Sequence, residues 1–290
     1  MYQDIMSLLS EGNKMSFEEI SERLIQCIQS GTRTSLLEAL KEIGTIPEWI
    51  PHDSTEEKLF SKASDAVLSR AFQELGMKST VLRERGDAAD VFAQSPIHGY
   101  TLVADAKAFR MSRTAKNQKD FKVSALSVWK KDADYAVLCA PYFQYPAKAS
   151  QIYAQALEYN VCLFSWEHLI FLLENGIRES EDLNLSALWN FSEQYSHDVL
   201  YAERKNSFMN AYDCQTVNFL HLDWNDFHLS LNNRITEIKH RGELEIGFWE
   251  DEIKSIQQYS REQAVRELIE AKKIHQKIAQ IRSWIRRLQT

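Results

Sequence analysis

Apolar residues recur three and four apart through the first fifty residues, the spacing of a helix with one inward face. Ser16-Phe-Glu-Glu19 is a capping-box start, and Ile20, Leu24, Ile25 and Ile28 follow it at helical spacing. A second helix is predicted from about Ser35 to Ile43, stopping at Gly44. Pro47 and Pro51 mark a connection. Ser54 then caps a long helix whose Leu59, Phe60, Ala63, Val67, Ala71, Phe72 and Leu75 form a single stripe ending near Gly76.

Beyond Gly76 the period shortens to that of strands, predicted near Ser79 to Glu84, Asp90 to Gln94 and Tyr100 to Ala106. A basic segment from Arg110 to Lys131 begins as a loop and continues as a helix with Phe121, Ala125, Leu126 and Trp129 inward. Tyr135 to Ala140 reads as a buried strand, Lys148 to Glu158 as a helix and Val161 to Phe164 as a short strand. From Leu183 onward the chain is helical and more charged. Its last segment spaces Ile274, Ile278, Ile281, Ile285 and Leu288 by four and three, an a/d-like seam that suits packing on the same subunit or across a dimer. The expected fold is α/β, a mixed central sheet flanked by helices on both faces, with additional N- and C-terminal helices. Three regions are expected within one compact domain: a helical scaffold or dimer contact over 1–50, a core over 51–190 and a helical region over 191–290.

Composition narrows the function classes. With 290 residues and 44% hydrophobic content the chain can bury a large core, and its few glycines and prolines favour long helices over an all-β design. A net charge of −7 is the wrong sign for a protein that merely coats DNA. Locally the sign reverses, because eight Lys or Arg face one Asp between Lys107 and Lys131. Cys27, Cys139, Cys162 and Cys214 are too scattered for a zinc knuckle or a disulfide framework, and Cys139 and Cys162 sit in apolar runs as buried small hydrophobes. The histidines include none in a metal-binding array. Neither a Walker loop, Rossmann glycines nor a Gly-x-Ser-x-Gly elbow is present, so no nucleotide cofactor is expected. No run is long and apolar enough for a membrane span and the N-terminus lacks a signal pattern, so a cytoplasmic location is expected.

The candidate chemistry lies between Val81 and Lys122. Alternation puts Asp105 and Lys107 on one face of a strand. With the preceding strand antiparallel beside it, Asp90 approaches Asp105, so two carboxylates and one ammonium share a small volume. Such a cluster suits Mg²⁺, with phosphodiester hydrolysis as the reaction: Asp90 and Asp105, with the Ala106 carbonyl, as ligands, and Lys107 orienting water or stabilising charge on phosphorus. Read alone, Asp-x-Lys is weak evidence and fits an ordinary strand salt bridge better. Glu57, in the first turn of the long helix, serves either the helix dipole or the metal site. Arg113, Lys116, Lys119 and Lys122 are candidate phosphate contacts, and Asn117 is the leading base reader, since Asn pairs bidentately with adenine.

The spacing of Asp90 to Asp105-Ala-Lys107 is similar to the signature of the PD-(D/E)xK nucleases. The runs Ser54-Thr-Glu-Glu-Lys-Leu-Phe-Ser-Lys-Ala63, Val103-Ala-Asp-Ala-Lys107, Ser112-Arg-Thr-Ala-Lys-Asn-Gln-Lys-Asp-Phe-Lys-Val123 and Phe164-Ser-Trp-Glu-His-Leu169 closely resemble type II restriction endonucleases of the HindIII family. The resemblance is dense from about Ile46 to Leu172. It implies a bacterial, homodimeric, Mg²⁺-dependent enzyme that cuts both strands of AAGCTT after the first A, leaving four-base 5′ overhangs, beside a cognate methyltransferase. It also implies that Asp90, Asp105 and Lys107 are catalytic and that Asp120 and Lys122 lie near the scissile phosphate. One position departs: where the family has a glutamate two before Arg85-Gly86, this chain has Arg83, with Glu84 next, and neighbouring strand residues face opposite ways. A structure-specific nuclease of DNA repair or recombination, or a non-cleaving DNA-binding protein of the same fold, are the alternative readings.

Overall fold

In the computed structural model, residues 1–11, 15–82, 88–113, 118–147, 150–198 and 201–287 are described, with side chains omitted at 118–119, 198, 201–206, 284–285 and 287. Three short helices, α1 (Tyr2–Ser10), α2 (Phe17–Ser30) and α3 (Arg33–Glu42), open the chain. The Ser16 capping box starts α2 as its residues dictate, with Glu19 reaching back to the Ser16 N–H at 3.0 Å. Ile5, Leu9, Ile20, Leu24, Ile28, Leu36 and Leu40 are all buried in the main core.

α4 (Thr55–Glu74) starts where Ser54 Oγ accepts the Glu57 N–H at 3.1 Å. It stops before Gly76, whose φ of +97° is costly for any residue with a Cβ. The sheet that follows has the order β1 (Lys78–Val81), β2 (Val91–Gln94), β3 (Thr101–Ala106), β4 (Tyr135–Ala140), β5 (Val161–Ser165). β1, β2 and β3 pair antiparallel, while β3, β4 and β5 pair parallel. β5 is buried at every position, and β3 and β4 at every position but the first, which requires cover on both faces.

Between β3 and β4 lie α5 (Gln118–Phe121) and α6 (Val123–Trp129), separated by Lys122 in a left-handed conformation. That break turns Val123 into the core with Phe121 and Leu126, and leaves Ala125 and Trp129 half-buried where an unbroken helix predicts them inward. A 3₁₀ turn (Tyr142–Gln144) and α7 (Gln151–Tyr159) lead to β5, followed by α8 (Trp166–Glu174), α9 (Ser186–Trp189), α10 (Phe191–Asp198) and α11 (Tyr201–Phe219). Phe72 and Phe164 both meet Trp189 edge-on, joining α4, β5 and α9. Truncating such a buried ring costs about 3–5 kcal/mol. Cys139 and Cys162 are free and fully buried, as their apolar runs predict. Among the described residues no helix is long and apolar enough to cross a membrane.

The chain divides into two compact units, Met1–Lys239 and His240–Thr290. α12 (Trp224–Gln257) runs from the first into the second, which also holds α13 (Arg261–Ala271) and α14 (Ile274–Arg287). Within the second unit Ile246, Trp249, Ile253 and Ile256 make a three-four-three seam along α12, and Ile274, Ile278 and Ile281 make a four-three seam along α14; all are exposed. Ile285 and Leu288 fall outside the described side chains.

Candidate active site

The β2–β3 register pairs Val91 with Ala104, and one step further along the same antiparallel ladder Asp90 faces Asp105. α4 packs against both strands and brings a third acid. Carboxylate oxygens of Asp65, Asp90 and Asp105 all lie within 4.8 Å of one another. Two lysines balance them. Lys107 Nζ bonds Asp105 Oδ2, and Lys62 Nζ, one helical turn before Asp65, lies 2.7 Å from Asp90 Oδ1 and 3.5 Å from Asp65 Oδ2.

Burial sets the electrostatics. Asp65 is 3% exposed, and burial, reinforced by the Asp90 charge, pushes its pKa well above the ordinary carboxylate range despite Lys62. Burial likewise raises Asp105, with Lys107 and Lys122 pulling it back and Asp90 adding to the rise. Lys62 also loses solvation, but Asp65 and Asp90 outweigh that and hold its ammonium on. Three oxygen acids crowded into 4.8 Å, two of them reluctant to ionise beside one another, are the hard donor set that a divalent cation satisfies. The residues therefore fit such an ion.

The backbone around Lys107 is fixed on both sides. Its N–H donates to Cys139 O at 2.7 Å, and its carbonyl accepts from Trp166 Nε1 at 2.9 Å. Ala106, the last residue of β3, puts its carbonyl in the backbone between Asp105 and Lys107.

Glu57 stands in a separate group. Its Oε1 pairs with Arg110 Nη2 at 2.8 Å and its Oε2 accepts from the Asp53 N–H at 2.7 Å beside His52 Nδ1 at 3.0 Å. Burial would raise its pKa, but these bonds hold it below the usual range. His52, Asp53 and Glu57 are themselves close enough to share a cation, a grouping that the sequence reading of the histidines did not foresee. The reason is local: Asp53 has a φ of +61°, a turn that folds its neighbours onto Glu57. The start of the basic segment is tied to the same region. Arg110 Nη1 donates to Pro47 O at 3.1 Å, while the Ser112 N–H and Oγ donate to the two oxygens of Glu48 at 2.9 and 2.8 Å.

Further along, Arg113 Nη2 lies 3.4 Å from Asp120 Oδ1. Lys122 Nζ sits 5.8 Å from the centre of the Trp129 ring, a cation–π distance, and its charge is felt at Asp105. Glu84, Lys116, Asn117 and the Lys119 side chain lie outside the described residues. Sequence reasoning missed Asp65 and Lys62. A signal for Asp65 exists: it lies seven residues before Phe72, so it shares that buried residue's face of α4.

The sequence profile of the HindIII restriction endonuclease family matches residues 3–285. The type II restriction enzyme HindIII of Haemophilus influenzae is 42% identical over 284 residues, an alignment that covers 98% of this chain and 95% of that one. With a match of that extent, this chain belongs to the HindIII family of restriction endonucleases.

Proposed function

We propose that the chain is a homodimeric, Mg²⁺-dependent type II site-specific deoxyribonuclease, cutting both strands of AAGCTT after the first A to leave four-base 5′ overhangs. The observation that carries the chemistry is the meeting of Asp65, Asp90, Asp105 and Lys107 beside the mixed five-stranded sheet, which supports a PD-(D/E)xK core. In this reading Asp90 and Asp105 hold the ion, with the Ala106 carbonyl as a further ligand and Asp65 as a third acid. A bound divalent cation supplies Lewis acidity to the phosphate and to water. Lys107 holds the attacking water or stabilises negative charge on the phosphate oxygens. Water adds to phosphorus, the bond to the 3′ oxygen breaks, and the products are a 5′-phosphate and a 3′-hydroxyl. Asp120 and Lys122 flank the scissile phosphate, with Glu84 as a further acid of the site, while Glu57 serves the neighbouring group with Arg110 and His52.

Arg113, Lys116, Lys119 and Lys122 neutralise phosphates, and Asn117 reads an adenine edge. Asn117→Ala is expected to cost about 1–3 kcal/mol of discrimination at one base pair. The three regions 1–50, 51–190 and 191–290 act as scaffold, nuclease core and helical appendage. The protein works in the bacterial cytoplasm, alongside a methyltransferase that protects the same site.

Two copies are required to cut a palindrome symmetrically, and the second unit offers the means. The α12 seam is flanked by Glu250 and Glu252, the α14 seam by Lys277 and Arg282, in the positions that set partner choice in coiled coils. Both seams are exposed. An acidic seam and a basic seam on each copy make the pair self-complementary, so α12 of one protomer packs on α14 of its partner and the reverse.

Digesting a plasmid of known sequence with Mg²⁺ and mapping the ends tests the reading. Discrete fragments with AGCT overhangs are expected. A smear, or cuts confined to branched DNA, would indicate a structure-specific nuclease, and no nicking at all would leave a DNA-binding protein.

A further inference from the structure

α8 begins with a turn whose side chains reach out to three other elements. Ser165 Oγ caps the helix by accepting the His168 N–H at 3.0 Å. Glu167 accepts the Tyr142 N–H at 2.8 Å. His168 Nε2 lies 2.8 Å from Asp213 Oδ1 on α11, and the other Asp213 oxygen accepts from Tyr142 Oη at 2.7 Å. Trp166 is the member that reaches the backbone of Lys107: its indole N–H donates to the Lys107 carbonyl at 2.9 Å.

The indole is closely packed at that carbonyl. It is 1% exposed, and Gly44 passes so close that a Cβ added there would stand 2.8 Å from Trp166 Cδ1. Gly44 is itself fixed, since its carbonyl accepts the Phe109 N–H at 3.0 Å, two residues beyond Lys107. The backbone of Lys107 is thus clamped between Cys139 O on its N–H side and the Trp166 indole on its carbonyl side, just where β3 ends and its ladder to β4 gives out. A lysine has four rotatable side-chain bonds, so the placement of its ammonium depends on how firmly its Cα is held.

We infer that Trp166 is a positioning residue for Lys107: its indole N–H, held in place by Gly44, fixes the strand end from which the Lys107 ammonium reaches Asp105 and the reacting phosphate. The role of Lys107 in cleavage comes from the proposed function, and the positioning rests on that reading.

The test is Trp166→Phe, which keeps an aromatic ring in the slot but removes the N–H donor together with part of the indole's bulk. In the metal-free protein the Lys107 carbonyl carbon resonance is expected to shift, while the carbonyls of β4 stay in place. Under single-turnover conditions with Mg²⁺, cleavage of a plasmid site is expected to slow roughly ten- to a hundredfold. Affinity for a duplex spanning that site, measured with Ca²⁺, is expected to stay within about twofold, because only the step that needs Lys107 is touched. Gly44→Ala, which pushes the indole from the other side, gives the same separation of rate from affinity, and combining it with Trp166→Phe adds little further loss. Cleavage by Trp166→Phe at the wild-type rate, an unmoved Lys107 carbonyl, or rate and affinity falling together overturns the positioning role. A wild-type protein that nicks no DNA with any divalent cation removes both this role and the proposed function, whereas a cutting wild type with an unaffected variant removes this role alone.

Discussion

Lys62 and Asp90 form a 2.7 Å ion pair across the gap between α4 and the entry to β2, and the same ammonium lies 3.5 Å from Asp65. A lysine is therefore stationed where the three acids converge, in the neighbourhood that a divalent cation would occupy. Two like charges compete for the same oxygens. Lys62→Met is expected to tighten Mg²⁺ binding several-fold, read as a lower half-saturating concentration by calorimetry on the DNA-free protein. An unchanged or weaker affinity would mean that the ion binds out of reach of Lys62.

Asp105 is 2% exposed, and Lys107 bonds it directly. Asp105→Asn keeps the shape and removes the charge that a cation requires. Cleavage is expected to vanish while specific DNA binding is largely retained, as gel retardation would show beside a cleavage assay. A variant cutting at the normal rate would exclude Asp105 from the mechanism.

Asp65 gives a pH dependence with a definite sign. Its pKa is raised in the folded protein, so between the ordinary carboxylate value and the raised one the folded state binds more protons than the unfolded state. That contribution to stability is full below the unfolded value and is lost as pH rises through the folded one. Without metal, Asp65→Asn should be the more stable protein at neutral pH, and the difference should close on acidification. Mg²⁺ should raise the melting temperature of the wild type more than that of the variant. Thermal melts across pH 4–8, with and without Mg²⁺, test both statements, and a destabilised Asp65→Asn at pH 7 would contradict the first.

What could be read from the residues divides along the range of the forces involved. Caps at Ser16 and Ser54 are settled by side chains within three residues, and both helices begin where those residues say. The approach of Asp90 to Asp105 follows from a register spanning one short turn. Asp65 shares the inward face of Phe72, but its approach to Asp90 and Asp105 depends on how α4 lies on the sheet, which no spacing within the helix reveals. Lys122 shows a different limit. Its left-handed φ of 52° splits a segment that reads as one helix, and no glycine marks the break. In the C-terminal unit the isoleucines of α14 stand out, but Ile246, Trp249, Ile253 and Ile256 of α12 are masked in sequence by the acidic run around them.

That acidic run makes the last prediction. If Glu250 and Glu252 on one copy face Lys277 and Arg282 on the other, reversing one set must set like charges against each other along the seam. Glu250→Lys with Glu252→Lys is expected to shift the protein toward monomer in sedimentation at low salt, with a loss of double-strand cuts relative to nicks. Adding Lys277→Glu and Arg282→Glu restores complementarity, so the quadruple variant should recover the dimer, which a merely misfolded helix would not do. Ile253→Asp, placed in the seam itself, should dissociate the dimer whatever the flanking charges. If the first variant stays dimeric, or the quadruple variant fails to recover, the two seams are not partners and the subunit contact lies elsewhere.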